Sequence, residues 1–317
     1  MIIFGPVPSR RLGRSLGINN IPYKACTYSC IYCQLGKTKK LTAEPQQYYD
    51  PEQILTMTAD SVDKLQENKE HIDYITFVPD GEPTLDINLG REIELLKGLG
   101  IKVAVITNSS LIWRDDVRQR LSKADLVSLK VDSLTEQSWH RINRPHPLLN
   151  IDDIKESMIS FAKDYRGTII TETMLVGGIN DDLEEIKRIG EFLLKLRPKT
   201  AYLSIPTRPP AEKWVKSPSP ALLAQSFKTL KDSGLFPEYL TEYEGNLFSK
   251  RNDLREDLLS ITSVHPMREE GVREFLLKND GDWSLVDELI RDGLIVKKEY
   301  DGKIFYRRRF SGNDKKL

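Results

Sequence analysis

Cysteine and histidine are scarce in this chain. The 317 residues contain three cysteines, all between positions 26 and 33. Three neighbouring thiols without partners elsewhere cannot form the disulfide framework typical of small secreted proteins. The chain has only four histidines, and the first, His71, lies well beyond Cys33. A compact zinc site of three cysteines and one histidine therefore lacks a histidine nearby in sequence.

Long apolar stretches are also missing. No run approaches the ~20 apolar residues that a membrane-spanning helix needs. The N-terminus, MIIFGPVPSRRLGRS, has no apolar core followed by the small residues of a signal-peptide cleavage site. Hydrophobic residues make up 39% and charged residues 30% of the chain, as expected of a globular protein. We therefore expect a cytoplasmic protein without membrane association.

Acidic residues are absent from the first 43 positions, although acidic and basic residues balance over the whole chain. The basic residues of this stretch are Arg10, Arg11, Arg14, Lys24, Lys37, Lys39 and Lys40. A solvated basic face is the simplest interpretation. Positive charge would also stabilise an anionic metal cluster nearby. Arg10 and Arg11 are candidates for contact with an anionic substrate.

The three cysteines form a CxxxCxxC motif, Cys26-Thr27-Tyr28-Ser29-Cys30-Ile31-Tyr32-Cys33. Three thiolates on one short loop can bind three irons of a cubane iron–sulfur cluster. A site with four cysteines closes a cluster for electron transfer, whereas three cysteines leave one iron open to another ligand. A zinc site or three unrelated thiols are the alternatives.

This spacing, with Tyr32 directly before the third cysteine, resembles the signature of the radical S-adenosylmethionine (SAM) enzymes. The resemblance implies a [4Fe–4S] cluster bound by Cys26, Cys30 and Cys33, with SAM on the open iron. It further implies reductive cleavage of SAM to a 5′-deoxyadenosyl radical, which removes a hydrogen atom from a substrate. The sequence has no flavodoxin-like domain, so we expect an external electron donor of the flavodoxin or ferredoxin type.

Strand-like and helix-like segments alternate through the middle of the chain. The predicted strands are 15–21, 72–78, 101–107, 125–131, 168–176 and 200–205. The predicted helices are 51–68, 89–99, 151–165, 182–196 and 220–233. Such alternation favours a parallel α/β sheet, because parallel neighbours need a crossover helix. With the resemblance, it predicts a (β/α)6 partial barrel over residues 1–245.

Candidate site residues follow the predicted strands, where the active sites of parallel barrels lie. Gly81-Glu82-Pro83 resembles the GGEP motif of the family, with Asp80 in place of its first glycine. The family motif contacts the amino group of SAM. Asn108 follows the next strand, where it either contacts a ligand or caps a helix.

The later strands supply further candidates. Alternation places Ser128, Lys130 and Asp132 on one face of the fourth strand, and that face lines the cavity if it points into the barrel. An ion pair of purely structural importance is the alternative, and we take Lys130 and Asp132 as candidate catalytic residues. Arg208, after the sixth strand, is expected to contact an anionic substrate. The full set of expected SAM contacts is Tyr32, Gly81, Glu82, Pro83, Asn108, Ser128, Lys130, Thr173, Met174 and Ile205.

Three segments resemble a narrower group within the superfamily. Residues 4–22, 142–147 and 207–212 are similar to uncharacterised radical enzymes related to the wyosine-base synthases, which rebuild a methylguanosine in transfer RNA. This resemblance implies modification of transfer RNA or another nucleic acid. The alternatives are modification of a protein, peptide or small metabolite, or a non-enzymatic metal-cluster protein with a regulatory winged helix.

Residues 246–317 predict a linker and a different module. Helices at 267–278 and 283–292 precede strands at 294–300 and 303–309, which are joined at Asp301-Gly302, a strong hairpin signal. This order is typical of a winged helix. Residues 293–317 carry eight Lys or Arg against three acidic residues. The basic hairpin predicts phosphate contact, with peptide binding or a structural cap as alternatives.

Overall fold

The computed structural model describes residues 2–241, Phe248 and residues 253–309. Its strands are β1 (Ile3–Ser9), β2 (Gly13–Ile18), β3 (Ala25–Cys26), β4 (Lys40–Leu41), β5 (Tyr74–Phe77), β6 (Lys102–Thr107), β7 (Leu126–Lys130), β8 (Thr168–Met174), β9 (Thr200–Ser204), β10 (Pro237–Leu240), β11 (Met267–Arg268), β12 (Ile295–Tyr300) and β13 (Lys303–Arg308). Its helices are α1 (Pro51–Glu67), α2 (Leu89–Lys97), α3 (Asp115–Leu121), α4 (Glu136–Asn143), α5 (Ile151–Asp164), α6 (Leu183–Leu196), α7 (Pro220–Asp232), α8 (Leu254–Val264), α9 (Glu269–Lys278) and α10 (Ser284–Arg291), with a short 3-10 helix at Pro83–Leu85.

The main sheet has the strand order β1-β2-β5-β6-β7-β8-β9-β10 and curls into a half-barrel. All neighbours from β2 to β10 are parallel, and β1 runs antiparallel to β2. The helices between the parallel strands are the crossovers that parallel pairing requires. The predicted α/β partial barrel is confirmed.

The six central strands lie where the sequence predicts them, whereas the two edge strands β1 and β10 were not predicted. β1 contains Pro6 and Pro8, which argue against a strand in the interior of a sheet. An edge strand tolerates both prolines because one of its sides makes no ladder hydrogen bonds. β10 spans only four residues, two of them exposed, so it lacks the apolar run of the central strands.

Helix starts follow local chemistry. Asp50 precedes Pro51 and accepts a hydrogen bond from the Glu52 N–H at 3.1 Å, which begins α1. Asp182 begins α6 in the same way by accepting from the Glu185 N–H at 2.9 Å. Both are among the boundaries that the sequence predicts to within a residue or two.

One end of the half-barrel is closed by a buried apolar cluster, whose members are Leu12, Ala104, Leu126, Ile170, Tyr202 and Leu240. Leu12 and Leu240 also line the cavity above, so the cluster forms its floor. The second, larger core lies between the sheet and the helices that cover it. The carboxyl ends of the strands line the cavity above this floor.

The C-terminal module comprises α8 to α10 and a three-stranded sheet of order β11-β13-β12. Two helices and the hairpin lie where they were predicted, while α8 and β11 were not predicted. The module packs against the barrel through a core that includes Phe4 and Val7 of β1. The winged-helix assignment stays a prediction, and the predicted boundary at 245/246 lies outside the described residues.

No helix among the described residues combines the length and apolar character needed to cross a bilayer.

Candidate active site

A cavity of about 360 Å³ lies at the carboxyl ends of the parallel strands. Most of the sequence-predicted site residues line it: Arg10, Arg11, Cys26, Cys30, Tyr32, Cys33, Gly81, Glu82, Asn108, Lys130, Met174, Ile205 and Arg208. Segments that are far apart in the chain thus meet at one site, as the partial-barrel prediction requires.

The cysteine loop is held by main-chain hydrogen bonds from two sides. The N–H groups of Ser29 and Ile31 donate to the carbonyls of Asn143 and Ile142 at 2.9 Å each. Within the loop, the Cys33 N–H donates to the Cys30 carbonyl at 3.2 Å. All three thiols are half-buried and border the same cavity. The loop therefore presents three sulfur atoms to one space without needing a disulfide.

The environment of the thiols favours an anionic metal cluster. Burial raises the pKa of Cys26 to about 11 and that of Cys30 to about 12, and a bound metal would stabilise the thiolate forms. The Lys24 ammonium lies 3.1 Å from the Cys33 sulfur. The side-chain amide of Asn143 lies 3.4 Å from the Cys30 sulfur. These donors fit sulfur ligands that carry negative charge.

The three cysteines do not converge on a single point. Among residues 2–241, Phe248 and 253–309, no three His, Cys, Asp or Glu side chains are grouped as ligands of one metal ion. A cubane cluster does not require this, because each cysteine binds a different iron. The fit of the loop to a cluster is therefore judged by the shared cavity and the donors around the sulfurs.

Gly81 brings the strand-end turn into close contact with the cysteine loop. A Cβ atom at this position would lie 1.8 Å from the Ala25 carbonyl oxygen, a distance that no side chain can occupy. The adjacent Glu82 N–H donates to that same carbonyl at 3.2 Å. The glycine of the predicted motif is therefore needed for the packing of two backbones.

Glu82 is buried and saturated with hydrogen bonds. Its carboxylate accepts from the hydroxyls of Thr84 and Thr107 at 2.6 Å each and from the Asn108 N–H at 2.8 Å. Burial raises the pKa of this carboxyl, and these donors oppose the rise. The network fixes Asn108, whose side-chain amide reaches towards the Cys26 sulfur at 3.6 Å.

Asp80, which replaces the first glycine of the family motif, faces away from the cysteines. It exchanges hydrogen bonds with Asn19, whose amide donates to its carboxylate at 3.1 Å and accepts from its N–H at 3.0 Å. Its carbonyl accepts from the Lys24 N–H at 3.0 Å. Burial raises the pKa of Asp80 to about 7. The substitution thus ties the motif to the segment before the cysteines.

Lys130 and Arg11 share one carboxylate, Glu172, which the sequence analysis did not place among the site residues. Lys130 lies 2.8 Å from Glu172, and Arg11 forms a second ion pair with it. Burial alone would raise the pKa of Glu172, but Arg11 and Lys130 lower it to about 2. Burial lowers the pKa of Lys130, and Glu172 and Asp132 more than offset this. Lys130 is accordingly a charged ammonium.

The expectation that Asp132 points into the cavity is wrong. β7 ends at Lys130, so the alternation that would carry Asp132 to the same face stops before it. The buried carboxylate instead accepts from the Tyr32 hydroxyl, from the Asn143 amide at 2.9 Å and from the Met174 N–H at 2.8 Å. Asp132 therefore holds cavity-lining residues in place from behind.

Three predicted SAM contacts, Pro83, Ser128 and Thr173, also lie outside the described lining. Ser128 is buried with 2% exposure. Thr173 turns its hydroxyl to the Val131 carbonyl at 2.7 Å, as its place opposite Met174 on the strand requires. Pro83 begins the short 3-10 helix and is buried behind Glu82.

The wall of the cavity includes residues that sequence reasoning missed. Arg208 donates to Gln34 at 3.2 Å and lies 3.0 Å from Nε2 of His265 in the C-terminal module. Val264 lines the cavity beside His265. No short-range pattern in the sequence connects positions 34, 208 and 265, so only the fold reveals this grouping.

The C-terminal module also contacts the cysteine loop. Arg307, which was expected on a basic phosphate-binding hairpin, is 9% exposed and donates to the Leu35 carbonyl at 2.8 Å. The Tyr300 hydroxyl donates to the Pro206 carbonyl at 3.1 Å. Packing of the hairpin on the barrel therefore buries Arg307.

Comparisons with known proteins were made for the whole chain. The model of the radical SAM superfamily matches residues 20–193. A UPF0026 protein of Methanocaldococcus jannaschii is 47% identical over all of this chain and 98% of its own length. A probable dual-specificity RNA methyltransferase RlmN of Thermotoga is 25% identical over 75% of this chain and 68% of its own.

Among solved structures, Streptococcus suis SuiB bound to S-adenosylmethionine superposes with a TM-score of 0.52 at 14% identity. The match covers 72% of this chain and 50% of that one. This likeness concerns the fold alone.

Proposed function

We propose that this chain, which belongs to the radical SAM superfamily, modifies a base of a nucleic acid and that this nucleic acid is transfer RNA. Enzymes of this superfamily use a [4Fe–4S] cluster and SAM. The observation that carries this proposal is a single cavity lined both by the three cysteines, here called the cysteine end, and by Arg10, Arg11 and Arg208, here called the arginine end. A base that enters such a cavity brings its flanking phosphates to the arginines. Membership of this superfamily makes the chain an enzyme, so the non-enzymatic alternative is set aside.

We assign the cysteine end to the cofactors. Cys26, Cys30 and Cys33 would each bind one iron, and Gly81 and Glu82 would form the wall against the amino-acid part of SAM. When bound, the two cofactors supply a one-electron cleavage of SAM that produces a 5′-deoxyadenosyl radical. The protein contributes fixed donors around the sulfurs and a wall whose hydrogen bonds are already made within the protein.

The remaining SAM contacts follow from position. Tyr32, Met174 and Ile205 line the same cavity and present apolar or aromatic surface, which suits the adenosine part of SAM. Asn108, fixed by Glu82, offers a side-chain amide beside Cys26. Asp132 acts through Tyr32 and Met174, and we treat it as a positioning residue.

Lys130 is assigned to orientation and charge, not to proton abstraction. Its ammonium is paired with Glu172, and its raised pKa keeps it protonated near neutrality. A protonated lysine can donate hydrogen bonds to a substrate carbonyl or phosphate but cannot accept a proton. This role is consistent with its place between the cysteine loop and Arg11.

The cationic end supports an anionic substrate. Arg10, Arg11 and Arg208 line the cavity, and Arg11 pairs with Glu172. Arginine suits phosphate because its planar guanidinium can donate two parallel hydrogen bonds. Lys297 and Lys303 are exposed on the hairpin of β12 and β13 and could extend the contact along a nucleic acid. The similarity to an RNA methyltransferase is in keeping with this substrate class.

Mass spectrometry of nucleosides tests the proposal. Transfer RNA from a strain lacking the gene should lose one modified nucleoside, and reconstituted enzyme with SAM and a reductant should restore it. An unchanged nucleoside inventory in transfer and ribosomal RNA would contradict a nucleic-acid substrate. In that case, the same cavity would serve a peptide or an anionic metabolite, and 5′-deoxyadenosine formation would still be observed.

A further inference from the structure

We infer that the electron donor docks on a surface of this chain beside the cysteine loop, and that the donor is a small acidic redox protein. This surface, the lysine face, consists of Tyr23, Lys37, Lys39, Lys40 and Leu41. The inference rests on the proposed function, because only an enzyme with a cluster needs this partner. An electron from a separate donor protein has to cross a surface of this chain to reach the cluster.

The lysine face is open to solvent. Lys37, Lys39 and Lys40 are exposed, and Leu41 is 40% exposed. The Lys39 ammonium lies 4.8 Å from the centre of the Tyr23 ring. An aromatic and an aliphatic side chain surrounded by lysines form the apolar centre and charged rim found in protein interfaces.

The lysine face is attached directly to the loop that carries the cysteines. The N–H groups of Lys39 and Lys40 both donate to the Lys24 carbonyl at 3.1 Å. The Thr42 N–H donates to the Cys26 carbonyl at 3.0 Å, and the Thr38 hydroxyl donates to the Tyr28 carbonyl at 2.6 Å. A protein bound here would be separated from the cysteines by one layer of backbone.

Lys24 connects the lysine face with the cysteine loop. Its carbonyl holds the lysine face, and its ammonium lies 3.1 Å from the Cys33 sulfur. The side chain is buried with 3% exposure, so it is a fixed part of the connection. The rate of electron transfer between proteins falls steeply with distance. Lys24 provides a short route from the lysine face to a cysteine ligand.

The charge of the surroundings selects an acidic partner. The first 43 residues contain no acidic residue. Glu212 lies 3.2 Å from Lys37 and also pairs with Arg144, so its charge is shared between two cations. Complementary charge steers a partner into position and raises its association rate. Complexes between redox proteins use small interfaces, so a face of five residues can contribute much of one.

The electron balance is simple. One electron leaves the reduced flavin or iron–sulfur centre of the donor and enters the oxidised cluster, and the donor dissociates in its one-electron-oxidised form. No bond forms or breaks at the lysine face.

Charge reversal tests the inference in the reconstituted enzyme. In the K37E/K39E/K40E variant, 5′-deoxyadenosine formation driven by reduced flavodoxin or ferredoxin should fall by about tenfold or more. Formation driven by dithionite, which needs no docking face, should stay within about twofold. The Kd of the oxidised donor, measured by anaerobic calorimetry, should weaken in parallel with the loss, and added salt should weaken wild-type binding in the same direction.

The matched control reverses three exposed lysines elsewhere. Lys163 and Lys195 lie in the last turns of α5 and α6, and Lys199 directly precedes β9, at the end of the barrel opposite the cavity. K163E/K195E/K199E carries the same change in net charge and should keep the donor-driven rate. If the reversal variant folds poorly, K37Q/K39Q/K40Q removes the charge without reversing it.

Three outcomes would overturn the inference: an unchanged donor-driven rate, an equal loss in both variants, or an equal loss with dithionite and with the protein donor. Loss of RNA binding with donor docking intact would assign the lysine face to nucleic acid instead. If the wild-type protein formed no 5′-deoxyadenosine with dithionite, the proposed function itself would be contradicted. This outcome differs from a loss that is seen only with the protein donor.

Discussion

The two ends of the cavity are built in different ways. At the cysteine end, main-chain hydrogen bonds and one glycine join short segments around residues 26–33 and 80–84. At the arginine end, side chains meet from distant segments, as in the contact of Arg208 with Gln34 and His265. A sequence motif of fixed spacing can reveal contacts of the first kind. Contacts of the second kind are visible only in the folded structure.

The electrostatics of the two ends differ as well. Burial raises the pKa values of Cys26 and Cys30, which favours their neutral thiols until a metal binds. At the other end, Arg11 and Lys130 lower the pKa of Glu172 to about 2 against the effect of burial. This end is charged before any ligand arrives. The comparison predicts that cofactor binding and substrate binding can be lost separately.

The largest expected effect comes from removing one cysteine. Cys30→Ala should lose cluster iron and reduce 5′-deoxyadenosine formation below detection, because one iron loses its ligand. Iron analysis and product chromatography under anaerobic conditions measure both. Ser29→Ala, in the same loop, should retain iron and activity. A Cys30→Ala protein with a full cluster and normal cleavage would show that the triplet is not the cluster site.

The next effect tests backbone packing at the cysteine end. Gly81→Ala should lower the free energy of unfolding by roughly 3 kcal/mol and reduce cluster content, because its Cβ would overlap the Ala25 carbonyl. Gly190→Ala in α6 is the control, since its nearest neighbour is a movable Leu230 methyl at 3.2 Å. Its stability should change by less than about 1 kcal/mol. Equal effects in both variants would argue against the special packing of Gly81.

A smaller and selective effect is expected at the arginine end. Arg208→Gln should slow substrate modification by about tenfold to a hundredfold, because the substrate loses a charged partner. Cleavage of SAM without substrate should change by less than about twofold if the two ends are independent. Arg14→Gln, which removes a charge of the same stretch outside the cavity lining, should leave both rates unchanged. If Arg208→Gln slowed SAM cleavage as much as substrate modification, the two ends would not be independent.

The last effect concerns pH and the replaced glycine of the motif. Burial raises the pKa of Asp80 from 3.8 to about 7, so its contribution to stability is full below about pH 4 and is lost as the pH rises towards 7. Asp80→Asn should remove this loss, which is at most about 1.4 kcal/mol per pH unit. Denaturant unfolding of wild type and variant from about pH 5 to about pH 7.5 measures the difference. Parallel stability curves would contradict the raised pKa.

Much of the fold could be predicted from the sequence because it depends on local patterns. The apolar runs of β5 to β9 and the caps Asp50 and Asp182 specified the strands and helix starts. β1 was missed because its prolines are acceptable only at a sheet edge, and an edge is a property of the whole sheet.

The site could be predicted only where chain position fixes geometry. The cysteine spacing and Gly81-Glu82 pointed to two segments that the fold brings together at one cavity. Asp132 was misplaced because alternation was extended past the last residue of β7. Glu172 and His265 were not identified, since their partners lie on other strands and in another module.

The central claim is that Cys26, Cys30 and Cys33 bind a cluster with one iron open to SAM. Electron paramagnetic resonance of the reduced, reconstituted protein, recorded before and after addition of SAM, tests it most directly. The account predicts a [4Fe–4S]⁺ signal that changes when SAM binds. A cluster signal that SAM leaves unchanged, or a reconstituted protein without a cluster, would contradict it.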